Sequence, residues 1–284
     1  MLLLADGGST TCSWCLLNAA NPVYFSTEGY NPYFWDTPAI AASLARGVPA
    51  AVRQAPISAI YYYGSGVLSP AKAEVVAGAL RQVFPQARQV HVAEDLLAAA
   101  RALLGHQPGF AAILGTGTNS CLYDGQRITQ VVESLGYSLG DEGSGTSIGR
   151  ILLRDYLRGR LPENLADEFK ETYQLGEVSE VLDRLYNQTL PNRFLAGFAR
   201  FAGQHYAEPY CQAVVGEAFD AFFAQIVTQY PDYQNYTFNC VGSISYHFRE
   251  ALAAAAARHG MAVGQMLETP IEALVRHHLA PNPE

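Results

Sequence analysis

Short apolar runs separated by turn residues dominate the first hundred positions of the chain. Such runs predict strands, and helices are predicted where apolar positions recur every three or four residues. The predicted strands are 2–5, 12–18, 23–26, 57–63 and 89–93, and the predicted helices are 38–46, 69–84 and 96–104. The order is β-β-β-α-β-α-β-α. Thr37 and Ser69 are expected to cap the first two helices, because each precedes a proline suited to the first helical position.

The second half of the chain starts the same plan again. Strands are predicted at 109–114, 120–123, 128–132 and 237–241, with helical patterns at 146–158, about 163–230, 246–259 and 271–279. Both halves therefore begin with a strand, a turn rich in Gly, Ser and Thr, and two more strands. The repeat is one of architecture and not of residues, so a solenoid is not indicated.

Composition and charge narrow the class of protein. The 284 residues are 49% hydrophobic and 15% charged, which is typical of a globular chain of about two domains. Eighteen Lys and Arg against 26 Asp and Glu give a net charge of −8, which argues against nucleic acid and anionic membrane surfaces as partners. No signal peptide or spanning helix is predicted, and the five scattered cysteines favour a reducing, cytoplasmic compartment.

The first glycine-rich turn offers chemistry for binding an anion. Gly7 and Gly8 allow the backbone to approach a ligand, while Ser9 and Thr10 add N–H and hydroxyl donors. Asp6, just before the glycines, is suited to hold a hydrated Mg²⁺ beside a phosphate. An ordinary hairpin turn explains the same residues equally well, since Asp-Gly is by itself a strong turn signal.

The second turn has the same character. Gly115, Thr116, Gly117, Thr118 and Asn119 offer several hydrogen-bond donors and no charge. The turn is not a P-loop, because no Gly-Lys-Ser/Thr follows. It is not a dinucleotide fingerprint either, because it lacks the third glycine and leads into a strand. Two such hairpins in separate halves of a chain indicate a polyphosphate site more strongly than one.

A third stretch, 135–145, places two adjacent carboxylates among four glycines. Asp141 and Glu142 in such a loop favour a binding role. The alternative is a helix start that Ser144 caps, with the two acids near the positive end of the helix dipole. The glycines exceed what a cap needs, so binding is the preferred interpretation.

Asp95 follows the predicted strand 89–93 and precedes a helix. A carboxylate at the carboxyl end of a strand points toward the ligand crevice of an α/β sheet, where it could accept a proton from a substrate hydroxyl. The alternative is that Asp95 is only the N-cap of the helix.

The cysteines and histidines show no ligand spacing for a metal. Cys12 and Cys15 lie three apart on a predicted strand, so their side chains are expected on opposite faces. His91 is expected to be partly buried, and His277 and His278 are expected to be solvated at the last helix.

Four segments together carry a resemblance to a known family. Asp6–Thr10, Leu114–Asn119, Gly140–Ser144 and Val241–Ile244 occur in an order that resembles the N-acetylglucosamine kinase family. That family lies in the BadF/BadG/BcrA/BcrD ATPase group of the actin/hexokinase/heat-shock-chaperone superfamily. The similarity covers almost the whole chain, and Gly-Asp-Glu-Gly-Ser is its most specific element.

The resemblance implies an α/β fold with two RNase H-like, actin-like ATPase lobes. Each lobe would have a mixed five-stranded sheet flanked by helices, with ATP and Mg²⁺ in a cleft between them. The expected lobes are 1–106, completed by a C-terminal helix in 270–284, and 107–269. A homodimer is also expected to be possible.

The resemblance also implies roles for single residues. Asp6 to Thr10 match the first phosphate loop, with Asp6 at the metal, and Gly115 to Asn119 match the second. Asp95 matches the catalytic base. The remaining matches are Gly242 and Ser243 for the adenosine, and Asn31, Ser65, Gly136 and Asp141 for the amino sugar. Leu135-Gly136-Tyr137 departs from the Gly-Trp-Gly of vertebrate members, so the wall of the sugar site differs.

The activity implied is ATP-dependent phosphorylation of an N-acetylated amino sugar, with N-acetylglucosamine and its 6-hydroxyl as the first expectation. N-acetylmuramic acid and glucosamine are alternative substrates. A BadF-type ATPase that activates a partner enzyme is an alternative of another class, but Cys121, Cys211 and Cys240 lack the context of iron–sulfur ligands. A non-catalytic nucleotide-binding regulator would lack Asp95 or one of the phosphate loops.

Overall fold

The computed structural model describes residues 1–18, 21–187 and 190–280. The strands in this part of the chain are β1 Leu2–Gly7, β2 Thr11–Leu17, β3 Val23–Glu28, β4 Ala59–Gly64, β5 Gln89–Glu94, β6 Gly109–Leu114, β7 Thr118–Tyr123, β8 Ile128–Val131, β9 Phe238–Val241 and β10 Val263–Leu267. The helices are α1 Thr37–Gly47, α2 Ala50–Arg53, α3 Pro70–Val83, α4 Asp95–Leu104, α5 Gly136–Leu139, α6 Gly145–Leu157, α7 Glu163–Tyr173, α8 Val178–Asn187, α9 Pro191–Gly197, α10 Ala199–Gln204, α11 Pro209–Gln225, α12 Ser243–His247, α13 Arg249–Arg258 and α14 Ile271–Leu279.

The first sheet has the strand order β3-β2-β1-β4-β5. β1, β2 and β3 form an antiparallel meander, whereas β4 runs parallel to β1 and β5 parallel to β4. The register pairs Gly7 with Gly64 and Gly64 with Glu94. The three parallel strands therefore end at the same level, which gathers the residues that follow them at one edge of the sheet.

The second sheet repeats this plan. Its order is β10-β9-β6-β7-β8, so β6, β7 and β8 correspond to β1, β2 and β3, and β9 and β10 correspond to β4 and β5. β9 and β10 are parallel, as β4 and β5 are. The predicted fold class, two RNase H-like halves with mixed five-stranded sheets and flanking helices, is confirmed.

The chain divides into two compact units. The first contains Met1–Ala111, Leu122–Thr129 and the segment that begins at Thr269, and the second contains Ala112–Cys121 and Gln130–Glu268. The domain boundaries given by the resemblance stay a prediction. In the described part of the chain, no helix combines the length and the apolar character needed to cross a membrane.

The core of the first unit is built on both faces of its sheet. Trp14, Tyr30 and Tyr62 are among the large side chains buried on one face, where Cys12 also lies. Cys15 lies on the other face, against helix α14. The predicted divergence of the two thiols is therefore confirmed, and the strand alternation explains it.

Helix starts follow the prediction in one case and depart from it in another. The Ser69 hydroxyl accepts the Lys72 N–H at 3.3 Å and caps α3 as expected. Thr37 does not cap α1. The cap is Asp36, whose carboxylate accepts the Ala39 N–H at 2.9 Å, because the Thr37 hydroxyl donates instead to the Val75 carbonyl at 2.8 Å.

The expectation that His277 and His278 are solvated is wrong for both, because each is half-buried and the Nδ1 atom of His277 is fully buried. The Nε2 atom of His278 lies 2.9 Å from the Tyr63 hydroxyl, and its ring packs on Tyr61 with centroids 4.6 Å apart. The physical reason is that α14 packs on β1, β2 and α4, which turns this end of the helix toward the sheet.

Candidate active site

Two carboxylates meet at the edge where β1, β4 and β5 end. Asp6 is the penultimate residue of β1 and Asp95 directly follows β5, and both are half-buried. Glu94 occupies the N-cap position of α4, and Asp95 is the first residue of the helix. The alternative interpretation of Asp95 as the N-cap is therefore wrong by one position. The sheet register brings the two acids together, although they are far apart in sequence.

Burial and proximity disfavour the charged forms of both acids. Burial, followed by the charge of Asp95, raises the pKa of Asp6 to about 7. Burial, followed by the charge of Glu94, raises the pKa of Asp95 to about 7, against hydrogen bonds from the backbone N–H groups of Leu96 and Asp95 itself. A carboxylate with such a pKa is suited to take a proton near neutral pH. A cation bound beside Asp6 would stabilise its ionised form and so lower its pKa.

The first glycine-rich turn is tied to the turn after β4. The Ser65 N–H donates to the Gly7 carbonyl at 2.8 Å, and the Ser9 and Ser65 hydroxyl oxygens are 3.2 Å apart. Gly7 is required here, because a Cβ on it would lie 2.3 Å from the Tyr62 hydroxyl oxygen. Thr10 is exposed, and its carbonyl accepts the Gly29 N–H at 3.0 Å.

Asn31 lies over the same turn. A Cβ on Gly66, whose φ is +75°, would lie 2.3 Å from the Asn31 Oδ1 atom. That oxygen accepts the Tyr33 N–H at 3.0 Å, which fixes the side chain over the turn. Asn31, Ser65 and the first turn therefore form one group in the first unit, as a shared ligand site would need.

In the second unit, the Gly115–Gly117 turn packs on the start of α6. The Gly145 N–H donates to the Gly115 carbonyl at 2.8 Å, and the Thr146 hydroxyl donates to the Thr116 carbonyl at 2.6 Å. The carbonyls of Gly115 and Thr116 thus accept hydrogen bonds from the first two residues of α6. Asn119 follows in β7, with its side-chain oxygen accepting the Ser120 N–H at 2.9 Å.

Asp141 joins this turn from the stretch 135–145, which we call the acidic loop. It is 6% exposed, and its Oδ1 accepts the Thr118 N–H at 3.1 Å. Burial raises the pKa of Asp141 to about 6, and the neighbouring Glu142 adds to the rise. The Thr118 hydroxyl donates to the Glu142 carbonyl at 2.6 Å, so Thr118 holds the acidic loop in place.

The acidic loop also contains a helix cap. The Ser144 hydroxyl accepts the Ser147 N–H at 3.1 Å, so Ser144 caps α6 as the alternative proposed. The Asp141 side chain serves Thr118 and not the helix, so capping does not account for it. Gly136, with a φ of +67°, begins α5 in the same loop, and its carbonyl accepts the Gly140 N–H at 2.8 Å.

Gly242 and Ser243 complete the group in the second unit. Gly242 has a φ of +133°, and a Cβ on it would lie 2.3 Å from the Leu114 carbonyl oxygen. Ser243 is the first residue of α12. The three glycine-rich segments of this unit, far apart in sequence, therefore converge where β6 and β9 end.

Comparison with known proteins identifies the family. No protein-family model matches the chain, and a search of curated proteins finds no match. The solved structure of the proposed N-acetylglucosamine kinase of Porphyromonas gingivalis is 39% identical over 98% of each chain, with a TM-score of 0.91. This chain belongs to the N-acetylglucosamine kinase family. The solved structure of a second proposed N-acetylglucosamine kinase, from Chromobacterium violaceum, is 21% identical over 97% of this chain and 98% of its own, with a TM-score of 0.71.

A more distant structure shares the fold. The ROK family glucokinase of Streptomyces griseus, solved with glucose and AMPPNP, is 17% identical over 98% of each chain, with a TM-score of 0.50. Membership of the N-acetylglucosamine kinase family confirms the predicted enzyme class, an ATP-dependent sugar kinase. The roles of the individual site residues stay predictions.

Tyr62 belongs to the candidate site although the sequence pattern indicates only strand packing for it. Its hydroxyl lies directly against Gly7, because a Cβ on that glycine would be only 2.3 Å from the hydroxyl oxygen. Burial raises the pKa of Tyr62 well above its ordinary value, and the charges of Cys12, Tyr30, Asp6 and Asp95 add to the rise. The alternation in Tyr61-Tyr62-Tyr63 shows that one ring faces away from the other two, but only the register of β4 against β1 places that ring against Gly7.

Proposed function

We propose that this protein transfers the terminal phosphoryl group of ATP to the 6-hydroxyl of N-acetylglucosamine. The observation that carries the proposal is the pair formed by Asp6 and Asp95 beside the first glycine-rich turn. The choice of sugar is supported by the name of the Porphyromonas gingivalis relative. N-acetylmuramic acid and glucosamine remain alternative acceptors, because Leu135-Gly136-Tyr137 departs from the family pattern.

Asp95 is the proposed catalytic base. A carboxylate can accept the hydroxyl proton only when it is ionised, and a pKa of about 7 leaves a sufficient ionised fraction at neutral pH. Phosphoryl transfer depends chiefly on positioning and on charge neutralisation. The role of Asp95 is therefore to orient the hydroxyl and to remove its proton as the new bond to phosphorus forms.

The nucleotide is assigned to the two hairpin turns and to Gly242-Ser243. Gly7, Gly8, Ser9 and Thr10 would contact phosphates from the first unit. The corresponding residues of the second unit are Gly115, Thr116, Gly117, Thr118 and Asn119, with Gly242 and Ser243 at the adenosine. For Thr118 the proposed contribution is indirect, because its N–H and hydroxyl already hold Asp141 and Glu142.

Mg²⁺ fits the chemistry of Asp6. No group of three potential metal ligands occurs in the described part of the chain, which suits an ion held by one carboxylate, phosphates and water. Asp6 would hold the ion as its carboxylate ligand. Once bound, Mg²⁺ neutralises negative charge on the phosphates.

The sugar is assigned to Asn31, Ser65, Gly136 and Asp141. Asn31 and Ser65 share one turn, and Asp141 is a buried acid with capacity for further hydrogen bonds. Buried polar groups that serve a substrate hydroxyl discriminate strongly against a sugar that lacks it. A cytoplasmic location is part of the proposal, supported by five buried cysteines that form no disulfide. A homodimer stays a prediction.

A sugar panel tests the proposal. The purified protein is incubated with ATP, Mg²⁺ and one candidate sugar at a time, and ADP release is followed by a coupled assay. N-acetylglucosamine should give the highest kcat/KM, and ³¹P–¹H NMR should place the phosphate on the 6-oxygen. A higher kcat/KM with N-acetylmuramic acid or glucosamine would replace the substrate but keep the kinase, whereas ADP release independent of every sugar would reject the proposed transfer.

A further inference from the structure

A second cluster of polar side chains lies in the first unit, away from the carboxylate pair. We call it the basic–aromatic cluster. It consists of Tyr61, Tyr63, His91, Arg101, His106, His277 and His278. Its members come from β4, β5, the end of α4, the residues after α4, and α14, so the fold and not a local motif brings them together.

Close contacts join the cluster. The Arg101 guanidinium donates to the Tyr63 hydroxyl at 2.6 Å, and that hydroxyl also lies 2.9 Å from Nε2 of His278. Tyr61 stacks on His91 with ring centroids 4.5 Å apart. On the far side the rings of His106 and His277 are 4.6 Å apart.

Several buried polar atoms of the cluster lack a hydrogen-bond partner among the described residues. They are Nε of Arg101, Nδ1 of His277 and Nε2 of His106. Each such atom normally has a partner in a folded protein, because leaving a buried polar atom unpaired is costly. Three such atoms in one cluster point to polar partners that the described residues do not supply.

The charges of the cluster are of one sign. Burial, together with the charges of Arg101 and His106, lowers the pKa of His277 to about 4. Burial likewise lowers the pKa of His278 to about 4, with His277, Arg101 and His91 acting in the same direction. No ion pair of Arg101 is found in the described part of the chain.

No carboxylate among the described residues acts on the two imidazoles. From β4 they face Tyr61 and Tyr63, and Tyr123 also acts on Tyr63. The other charged groups of α14, Glu272 and Arg276, act on Tyr24 of β3 instead. Within residues 1–18, 21–187 and 190–280, the site therefore has a permanent positive charge, two neutral imidazoles at pH 7 and no carboxylate that acts on them.

A cavity adjoins the cluster. It has a volume of about 450 Å³ and is lined by Tyr61–Tyr63, Val90–Ala93, Leu97 and Arg101. That volume is within the range of small-molecule sites. Among the described residues no three His, Cys, Asp or Glu side chains converge as metal ligands, and a fixed guanidinium opposes a cation.

We propose that the basic–aromatic cluster binds an oxyanion, the phosphate group of a small phosphorylated molecule or inorganic phosphate, with Arg101 as its principal charge. Tyr63, which also lines the cavity, would supply a further donor, and His278 would act on the site through its contact with the Tyr63 hydroxyl. The guanidinium matches the geometry of a phosphate or sulfate because it offers several N–H donors in one plane. Arg101 lies in the last turn of α4, the helix that Asp95 begins, but the proposal does not depend on the kinase reaction.

Sulfate is the first probe, since it carries two charges throughout the working pH range. The imidazole signals of the full-length protein are followed by NMR as a function of pH, with and without sulfate. A bound dianion should favour the imidazolium forms, so the pKa of His277 and of His278 should rise from about 4. By the same linkage, sulfate should bind more tightly as the pH falls from 7 to 5.

A pair of variants assigns the charge. Arg101→Gln should weaken sulfate binding at pH 6 by about tenfold or more, as expected for loss of a charge-assisted hydrogen bond. Arg46→Gln is the matched control, because Arg46 also lies in the last turn of a helix of this unit but is exposed. It should leave sulfate binding unchanged.

The outcomes separate the sources of the anion and the possible sites. Tighter binding of a sugar 6-phosphate than of inorganic phosphate, lost in Arg101→Gln, would favour a phosphorylated metabolite, and equal binding would favour the free ion. Sulfate that binds without moving the two histidine pKa values, or with equal affinity in Arg101→Gln, would overturn the proposal. The measurement on the unaltered protein stands even if Arg101→Gln does not fold.

Discussion

At the scale of single residues, Asp95 is the most informative position. Asp95→Asn keeps the side-chain volume but removes the oxygen that could accept a proton. We expect kcat to fall by about 10²–10⁴-fold, the usual contribution of a general base, while the affinity for ATP changes little. Steady-state kinetics and nucleotide titration measure the two quantities. Glu74→Gln, an exposed neutralisation in α3, should leave both unchanged.

The stability of the same variant provides its folding control. Because the pKa of Asp95 is raised from 3.8 to about 7, the folded protein holds this proton more tightly than the unfolded chain. The wild-type free energy of unfolding should therefore decrease as the pH rises from 4 to 7. Asp95→Asn loses that penalty, so its melting temperature at pH 8 should equal or exceed that of the wild type. Near-normal turnover in this folded variant would refute the role of Asp95.

Which residues could be predicted from the sequence depends on what defines their position. Asp6 and Asp95 each adjoin the end of a strand, and a strand end is visible as the end of an apolar run. Tyr62 and Arg101 have no such marker. Their neighbours are set by strand register and helix packing, which the sequence pattern does not contain.

At the scale of elements, the turn after β9 requires glycine. Gly242→Ala would place a Cβ 2.3 Å from the Leu114 carbonyl oxygen at a φ of +133°. We expect a loss of at least about 1–3 kcal/mol in the free energy of unfolding, measured with urea, because backbone must move. The matched control is Gly216→Ala inside α11, where a Cβ meets nothing within 4 Å.

The control should go in the opposite direction. Alanine in the interior of a helix is favoured over glycine by roughly 0.5–1 kcal/mol, so Gly216→Ala should stabilise the protein. A Gly242→Ala protein as stable as the wild type would show that β6 and the turn can separate at little cost. The close approach of the two segments would then have no energetic importance.

The elements themselves were largely predictable, and their ends less so. Strand and helix periodicity gave every strand of the first sheet to within a few residues. The last strand, β10, was not predicted, because Val263–Leu267 is short and mostly exposed and so lacks an apolar run. Thr37 resembles a cap in sequence, but its hydroxyl is drawn to α3 by packing that only the folded chain reveals.

At the scale of the whole molecule, the first unit depends on a helix from the other end of the chain. Leu274 of α14 is fully buried against Tyr63 and Ala98, whereas Leu279 of the same helix is 67% exposed. Leu274→Ala should lower the free energy of unfolding by about 2–5 kcal/mol, and Leu279→Ala by much less. Urea denaturation of both variants measures the difference. Similar values for the two would mean that α14 contributes little to the first unit.

The position of α14 also determines when the protein can become active during synthesis. Domains of a growing chain commonly fold in order from the amino terminus. Here residues 1–111 emerge first but cannot cover Leu4 and Cys15 until residues 271–279 have been made. The second unit, whose segments end at Glu268, can complete its core earlier. The unit that contains Asp6 and Asp95 is therefore the last to complete its core. Before residues 271–279 are made, the face of its sheet that α14 covers stays exposed in the nascent chain.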